Sequence, residues 1–246
     1  MGDVMKNILF NSSKSIFLIL SIFTKIPLKL NSEFDEEDYK LGMIFLPIIG
    51  LIIGLGFVLI KLTTFVSSSY IVGLLLTIFY VIITGAIHIR GFGSKLNEFF
   101  SSEDTEENSI NSQDSTGKII GVLLLLVAYI VLLGENSFSA VFLMPIVGRT
   151  SYMLSSYIVN NKNIENSHKL ISVSDKSVRN SAFLFAFILS LIFNFMAVIP
   201  IFIAFVIIGL FTKMMIDKKE NFSTDDHGFM VELSQIIFLI VAYYII

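Results

Sequence analysis

The stretch that decides the fold runs from Arg179 to Lys213, RNSAFLFAFILSLIFNFMAVIPIFIAFVIIGLFTK, and carries no charge between its ends. As one helix the uncharged part would be about 50 Å long at ~1.5 Å per residue, against a hydrocarbon core of about 30 Å. It therefore reads as two spans, with the turn expected at Pro200 near the middle. Five further apolar runs, Leu41 to Ile60, Tyr70 to Ile87, Ile119 to Leu133, Phe138 to Val159 and Phe229 to Ile246, bring the expected number of spans to seven. Composition agrees, with 54% hydrophobic residues, 15% charged and a mean hydropathy of +0.81, outside the range of soluble domains. The expected fold class is an all-α polytopic transmembrane helix bundle. The whole chain, residues 1–246, reads as one integral membrane domain.

Following the spans in order places residues 1–40, 88–118, 160–180 and 213–228 on the same side. All Lys and Arg residues except Lys61 and Arg149 lie in those four stretches, and all acids except Glu135 and Glu232 do too. The excess of Lys and Arg makes that side cytoplasmic. Localisation in the cell membrane follows, with any chemistry expected on the cytoplasmic face. The apolar run Ile8 to Leu28 is interrupted by Lys14 and Lys25 and reads as an N-terminal interfacial or half-inserted helix. No small-residue cleavage site follows it, so a cleaved signal peptide is not expected.

Several chemistries are excluded or unsupported. With no cysteine there are no disulfides, thiol nucleophiles or Cys-ligated metals. His88, His168 and His227 make no zinc spacing. No phosphate-binding glycine loop, nucleic-acid module or transporter-type inverted repeat is present. Two ionisable residues lie within spans, where a charge is costly and marks a candidate site. Arg149 lies near mid-membrane and Glu232 near the start of its own helix, so a short contact between them is not expected. Asp114, Asp225 and Asp226 each precede a span, where an acid also favours a helix N-terminus.

Local sequences in the polar stretches carry a resemblance. Phe23-Thr24-Lys25-Ile26-Pro27, Phe45-Leu46-Pro47-Ile48-Ile49-Gly50 with Gly54, Thr84-Gly85-Ala86-Ile87-His88-Ile89-Arg90-Gly91, Asp114-Ser115 with Gly121, Gly148-Arg149, and Asp225-Asp226-His227-Gly228 with Glu232 occur in this order. Together they resemble the motifs of the cobalamin synthase family, the adenosylcobinamide-GDP ribazoletransferases. The Thr84 segment is similar to that family's Thr-Gly-Gly-x-His-x-Asp-Gly, and the Asp225 segment to its Gly-Asp-Thr-x-Gly-x-x-x-Glu. The resemblance implies a Mg2+-dependent transferase in late cobalamin biosynthesis. It would join adenosylcobinamide-GDP to α-ribazole, giving adenosylcobalamin and GMP.

The sequence departs from the family at its first acidic motif, His-x-Asp-Gly-x-x-Asp-x-x-Asp, whose three carboxylate positions hold Arg90, Ser94 and Asn97. Magnesium needs hard oxygen ligands, so the resemblance leaves Asp114, Asp225 and Asp226 as candidate metal ligands, with Glu98 one residue past the third lost acid. Arg90 and Lys95 are candidates to bind the pyrophosphate directly, with Asn97 beside them on the substrate side. Each has a plainer reading: Glu98 as part of a solvated acidic loop, Arg90 and Lys95 as orienting charges at the membrane surface. His88, Arg149 and Glu232 are the candidate catalytic groups. The expected partners are the two substrates and membrane lipid, with no nucleic acid; a homo-oligomer or a complex with other corrinoid-pathway proteins stays open. The alternative reading is a relative that binds corrinoid or nucleotide without turnover.

Overall fold

The computed structural model of the chain describes residues 2–28, 33–65, 67–100, 116–162, 169–218 and 221–246, with side chains from residue 12 onward. The described residues form ten α-helices and one 3-10 turn, with no β-strand. In chain order these are α1 (Gly2–Phe23), α2 (Glu36–Thr63), α3 (Ser69–Thr84), α4 (Ile87–Phe100), α5 (Thr116–Glu135), α6 (Phe138–Asn161), α7 (Lys169–Ser172), α8 (Lys176–Phe193), α9 (Val198–Lys218) and α10 (Thr224–Ile245). Five segments, α2, α5, α8, α9 with its preceding 3-10 turn, and α10, are long and apolar enough to cross a membrane. The bent pair α3 and α4 makes a sixth if it is counted as one span. The protein is thus a multi-pass helical membrane protein, with fewer clear spans than the seven expected.

The difference lies in α3 and α6. Helix α3 has only 16 residues before the chain turns by 98° into α4. Helix α6 has 24 residues, but from its midpoint on it holds Arg149, Thr150, Ser151, Ser155 and Ser156, and most of the helix is buried. It is the central helix, enclosed by α2, α8, α9 and α10. Inside the helix the Thr150 and Ser155 hydroxyls donate to the carbonyls of Ile146 (2.9 Å) and Tyr152 (3.0 Å), which satisfies them without a partner helix. Contact with α2 is close because of Gly50 and Gly54: a Cβ at Gly50 would lie 2.6 Å from Ile146 Cα and 2.7 Å from the Pro145 carbonyl oxygen. Small residues four apart let two helices approach backbone to backbone. Apolar residues on the outer faces of α8 and α9, such as Phe187, Leu191, Phe202 and Leu210, stay exposed, as lipid-facing surface does.

The turn in the long apolar run falls at Asn194 and not at Pro200. Asn194 is extended (φ −168°, ψ 111°), and its Oδ1 accepts from the Met196 N–H at 3.1 Å. Its amide also donates to Ser139 Oγ at 3.2 Å, tying the turn to the start of α6. Pro200 instead sits in the first turn of α9, where its missing N–H has no helical partner to lose. At the other end both helices run past the apolar stretch, α8 starting at Lys176 and α9 ending at Lys218.

The segment expected as a loop from residue 88 is helical to Phe100. The bend that starts it needs left-handed backbone at two successive residues, Gly85 (φ 61°) and Ala86 (φ 55°). Ala86 stands where the resembled motif has its second glycine, and an alanine there is strained by about 1 kcal/mol. Ala86→Gly should therefore raise stability by about 0.5 kcal/mol, what is left of the strain after the unfolded-state entropy of glycine is subtracted. Thermal unfolding in detergent measures it, and an unchanged or lower midpoint would show that the bend carries no such strain.

Candidate active site

Four of the segments that carry the resemblance meet at the end of the bundle where α10 begins. Glycines allow the approach: a Cβ at Gly91 would lie 2.5 Å from the Asp225 carbonyl oxygen, and one at Gly228 would lie 3.1 Å from the His88 carbonyl oxygen. The chain leaving α1 lies against the α3–α4 bend. There the Lys25 N–H donates to the Ile83 carbonyl at 2.8 Å, and the Lys25 side chain runs across Gly85.

The α10 N-terminus is closed by a capping box in which Ser223 Oγ accepts from the Asp226 N–H at 3.2 Å and Asp226 Oδ2 accepts from the Ser223 N–H at 2.7 Å. Asp226 also pairs with Lys95, whose ammonium lies 2.6 Å from Glu98 Oε2 on its other side. The Lys95 side chain is only 5% exposed, and a lysine that deep needs such partners. Outside this, Arg90 and Asp225 form a looser, more exposed pair at 3.7 Å. Asn97 Oδ1 accepts from the Lys118 N–H at 3.1 Å, fastening α4 to the first turn of α5.

Deeper in the bundle lies an aromatic and histidine layer. His88 packs on Phe23 and Tyr152, and Tyr152 in turn on His227, whose Nδ1 is 3.0 Å from Ser155 Oγ. Below it, Glu232 accepts from the Tyr80 hydroxyl at 2.9 Å and from the Tyr129 hydroxyl through its other oxygen. Tyr129 also reaches Gln235 Oε1 at 2.9 Å. Arg149 is fully buried, its guanidinium 5.5 Å from the centre of the Phe23 ring, a favourable cation–π arrangement. Its Nε, Nη1 and Nη2 donate to no described residue, and among the described residues His88 Nε2 and Ser151 Oγ also lack a partner. Such a run of buried polar atoms in a native fold calls for an explanation; a guanidinium whose donors have no acceptor is suited to an anion.

Arg149 and Glu232 lie at nearly the same depth, contrary to the depth difference read from the sequence. The His227–Ser155 contact and the packing of Gly148 on Gln235 fix the stagger of α6 against α10, and α10 starts at Thr224, which puts Glu232 two turns inside it. The two groups interact through charge with no direct ion pair between them.

Of the expected metal ligands, Asp114 lies outside the described residues. Asp225, Asp226 and Glu98 are each engaged by a protein cation. No group of three His, Asp or Glu side chains that could hold a metal ion occurs among the described residues. The magnesium ion implied by the resemblance therefore does not fit the donor set described here. Phe23, Tyr80, Tyr129, Tyr152, Ser155 and Gln235 were not among the sequence candidates. Phe23 had a signal, since it opens one of the segments that carry the resemblance, and so had Gln235, three residues past Glu232 and so on the same helix face.

Fold and site together define a polytopic helical membrane protein with a buried polar layer inside its bundle. The chain belongs to the cobalamin-5-phosphate synthase family, whose model matches residues 15–243. It is 30% identical over 253 residues to the adenosylcobinamide-GDP ribazoletransferase of Clostridioides difficile (strain 630), covering 95% of this chain and 98% of that protein. It is 28% identical over 238 residues to the protein of that name from Alkaliphilus oremlandii (94% and 97% covered). The Clostridium botulinum (strain Loch Maree / Type A3) protein of that name is 29% identical over 250 residues (96% and 98%). No solved structure matches the chain.

Proposed function

We infer that the chain is a membrane-embedded transferase that joins adenosylcobinamide-GDP to α-ribazole, with its active site on the cytoplasmic face. The observation that carries this reading is the convergence of Phe23-Thr24-Lys25, Thr84 to Gly91, Gly148-Arg149 and Asp225 to Glu232 on one buried polar site. Ionisable side chains held inside a membrane bundle are costly and mark a functional site by default, and here they come from segments far apart in sequence.

In the reaction a hydroxyl oxygen of α-ribazole attacks the phosphorus on the cobinamide side of the pyrophosphate. The new O–P bond forms, the bond to the GMP oxygen breaks, and the hydroxyl proton is released. Catalysis of this kind is mostly positioning and charge stabilisation. Arg149 and Arg90 are the cations we assign to the phosphoryl oxygens, the first buried and without an acceptor among the described residues, the second largely exposed. We assign the hydroxyl proton to His88 Nε2, which is buried and without a hydrogen-bond partner among the described residues. Glu232 acts behind them, its oxygens held by two tyrosines and its charge balancing that of Arg149.

Sidedness tests the reading as a whole. Inverted membrane vesicles carrying the protein should form adenosylcobalamin from externally added substrates, and sealed right-side-out vesicles should not. Equal formation by both preparations would contradict a cytoplasmic site.

A further inference from the structure

Three positions of α4 that hold carboxylates in the resembled motif hold none here, and two cations stand at or beside them. Arg90 occupies the first lost position, and Lys95 follows the second by one residue. The Lys95 ammonium sits between Glu98 Oε2, at 2.6 Å, and Asp226 Oδ1, on a side chain 5% exposed. Asp226 is fixed independently, since its other oxygen accepts from both the N–H (2.7 Å) and the hydroxyl (2.8 Å) of Ser223. Asn97, at the third lost position, has its Oδ1 engaged by the Lys118 N–H. A divalent cation would have to displace a buried ammonium from two carboxylates, or lie beside it against charge repulsion.

We propose that Lys95 is the resident cation of this site: its ammonium, held between Glu98 and Asp226, occupies the place of a divalent metal, so that these two carboxylates bind lysine and not a metal ion. The arrangement is self-consistent electrostatically. Removing acids weakens a metal site, and a lysine at this place neutralises Asp226, which would otherwise be an unpaired buried charge, while the exposed Glu98 closes over the ammonium from the outer side. Lys95 is thereby a positioning residue: it holds the first turn of α10 against α4, and with it the level of His227 and Glu232.

The test needs no substrate, so its failure would leave the transferase reading standing. The purified full chain in detergent is titrated with Mn2+ and followed by electron paramagnetic resonance. The wild type should take up no Mn2+ that Glu98→Gln removes. Lys95→Gln should bind Mn2+ roughly tenfold or more tightly than the wild type, with the gain abolished by adding Asp226→Asn. Lys95→Arg, which keeps the cation, should show no gain. Mn2+ held by the wild type and released in Glu98→Gln would overturn the proposal whether or not the Lys95 variants fold. A folded Lys95→Gln protein that gains no Mn2+ affinity would overturn it as well.

Discussion

Gly91→Val is expected to lower kcat/KM by about 10²-fold or more and to reduce stability by about 3 kcal/mol. A β-carbon at this position would lie 2.5 Å from the Asp225 carbonyl oxygen and 3.0 Å from its Cα. Both obstacles are backbone, so no rotamer change relieves them and α10 must move away from α4. The shift separates Lys95 from Asp226 and leaves a lysine and a carboxylate buried without their partners, a loss of several kcal/mol when one side of such a pair is removed. It also carries His227 and Glu232 out of register with α6, to which the His227–Ser155 contact ties them. Turnover measured beside thermal unfolding in detergent separates the two effects. Wild-type turnover in the valine variant would mean that the α4–α10 contact does not form the site.

The second large effect concerns the buried charges. Arg149→Met and Glu232→Gln should each destabilise the protein by about 3 kcal/mol, since each leaves the other's charge buried and uncompensated. The double variant should lose clearly less than the sum, with a coupling of about 1 kcal/mol or more. Arg149→Met should in addition reduce turnover by about 10²- to 10³-fold, the scale of losing one fixed group that stabilises a transition-state anion. Glu232→Gln keeps a carbonyl acceptor for only one of Tyr80 and Tyr129 and turns an amide N–H toward the other, so its cost includes a lost hydrogen bond beside the lost charge. Strict additivity of the two substitutions would show that the groups ignore one another in spite of their common depth.

Much of the fold was legible because hydropathy and charge report directly on lipid and on the membrane surface. The runs around Leu41, Ile119 and Phe229 became α2, α5 and α10, and the uncharged run from Arg179 to Lys213 became α8 and α9. Its turn was misplaced because proline is a conspicuous helix breaker in sequence, whereas Asn194 makes the turn through side-chain bonds to Met196 and to distant Ser139. Helix α4 was hidden because its residues are polar on one face and its partner, α10, lies more than a hundred residues downstream.

Of the site, Arg149 and Glu232 stood out because an ionisable group within an apolar run is rare. Tyr80 and Tyr129 did not, since a tyrosine in a span is as ordinary at an interface as in a polar network, and only the packing of α3 on α5 and of α5 on α10 brings them to Glu232. The pairing of Lys95 with Asp226 was likewise unreadable, because it depends on Gly91 letting the two helices touch.

The most direct test of the account is the stoichiometry of GMP and corrinoid released by the purified protein. Given adenosylcobinamide-GDP in a magnesium-containing buffer, it should release GMP only when α-ribazole is added, one GMP for each adenosylcobalamin formed. GMP released without a corrinoid product, or no product from folded protein that binds adenosylcobinamide-GDP, would contradict it.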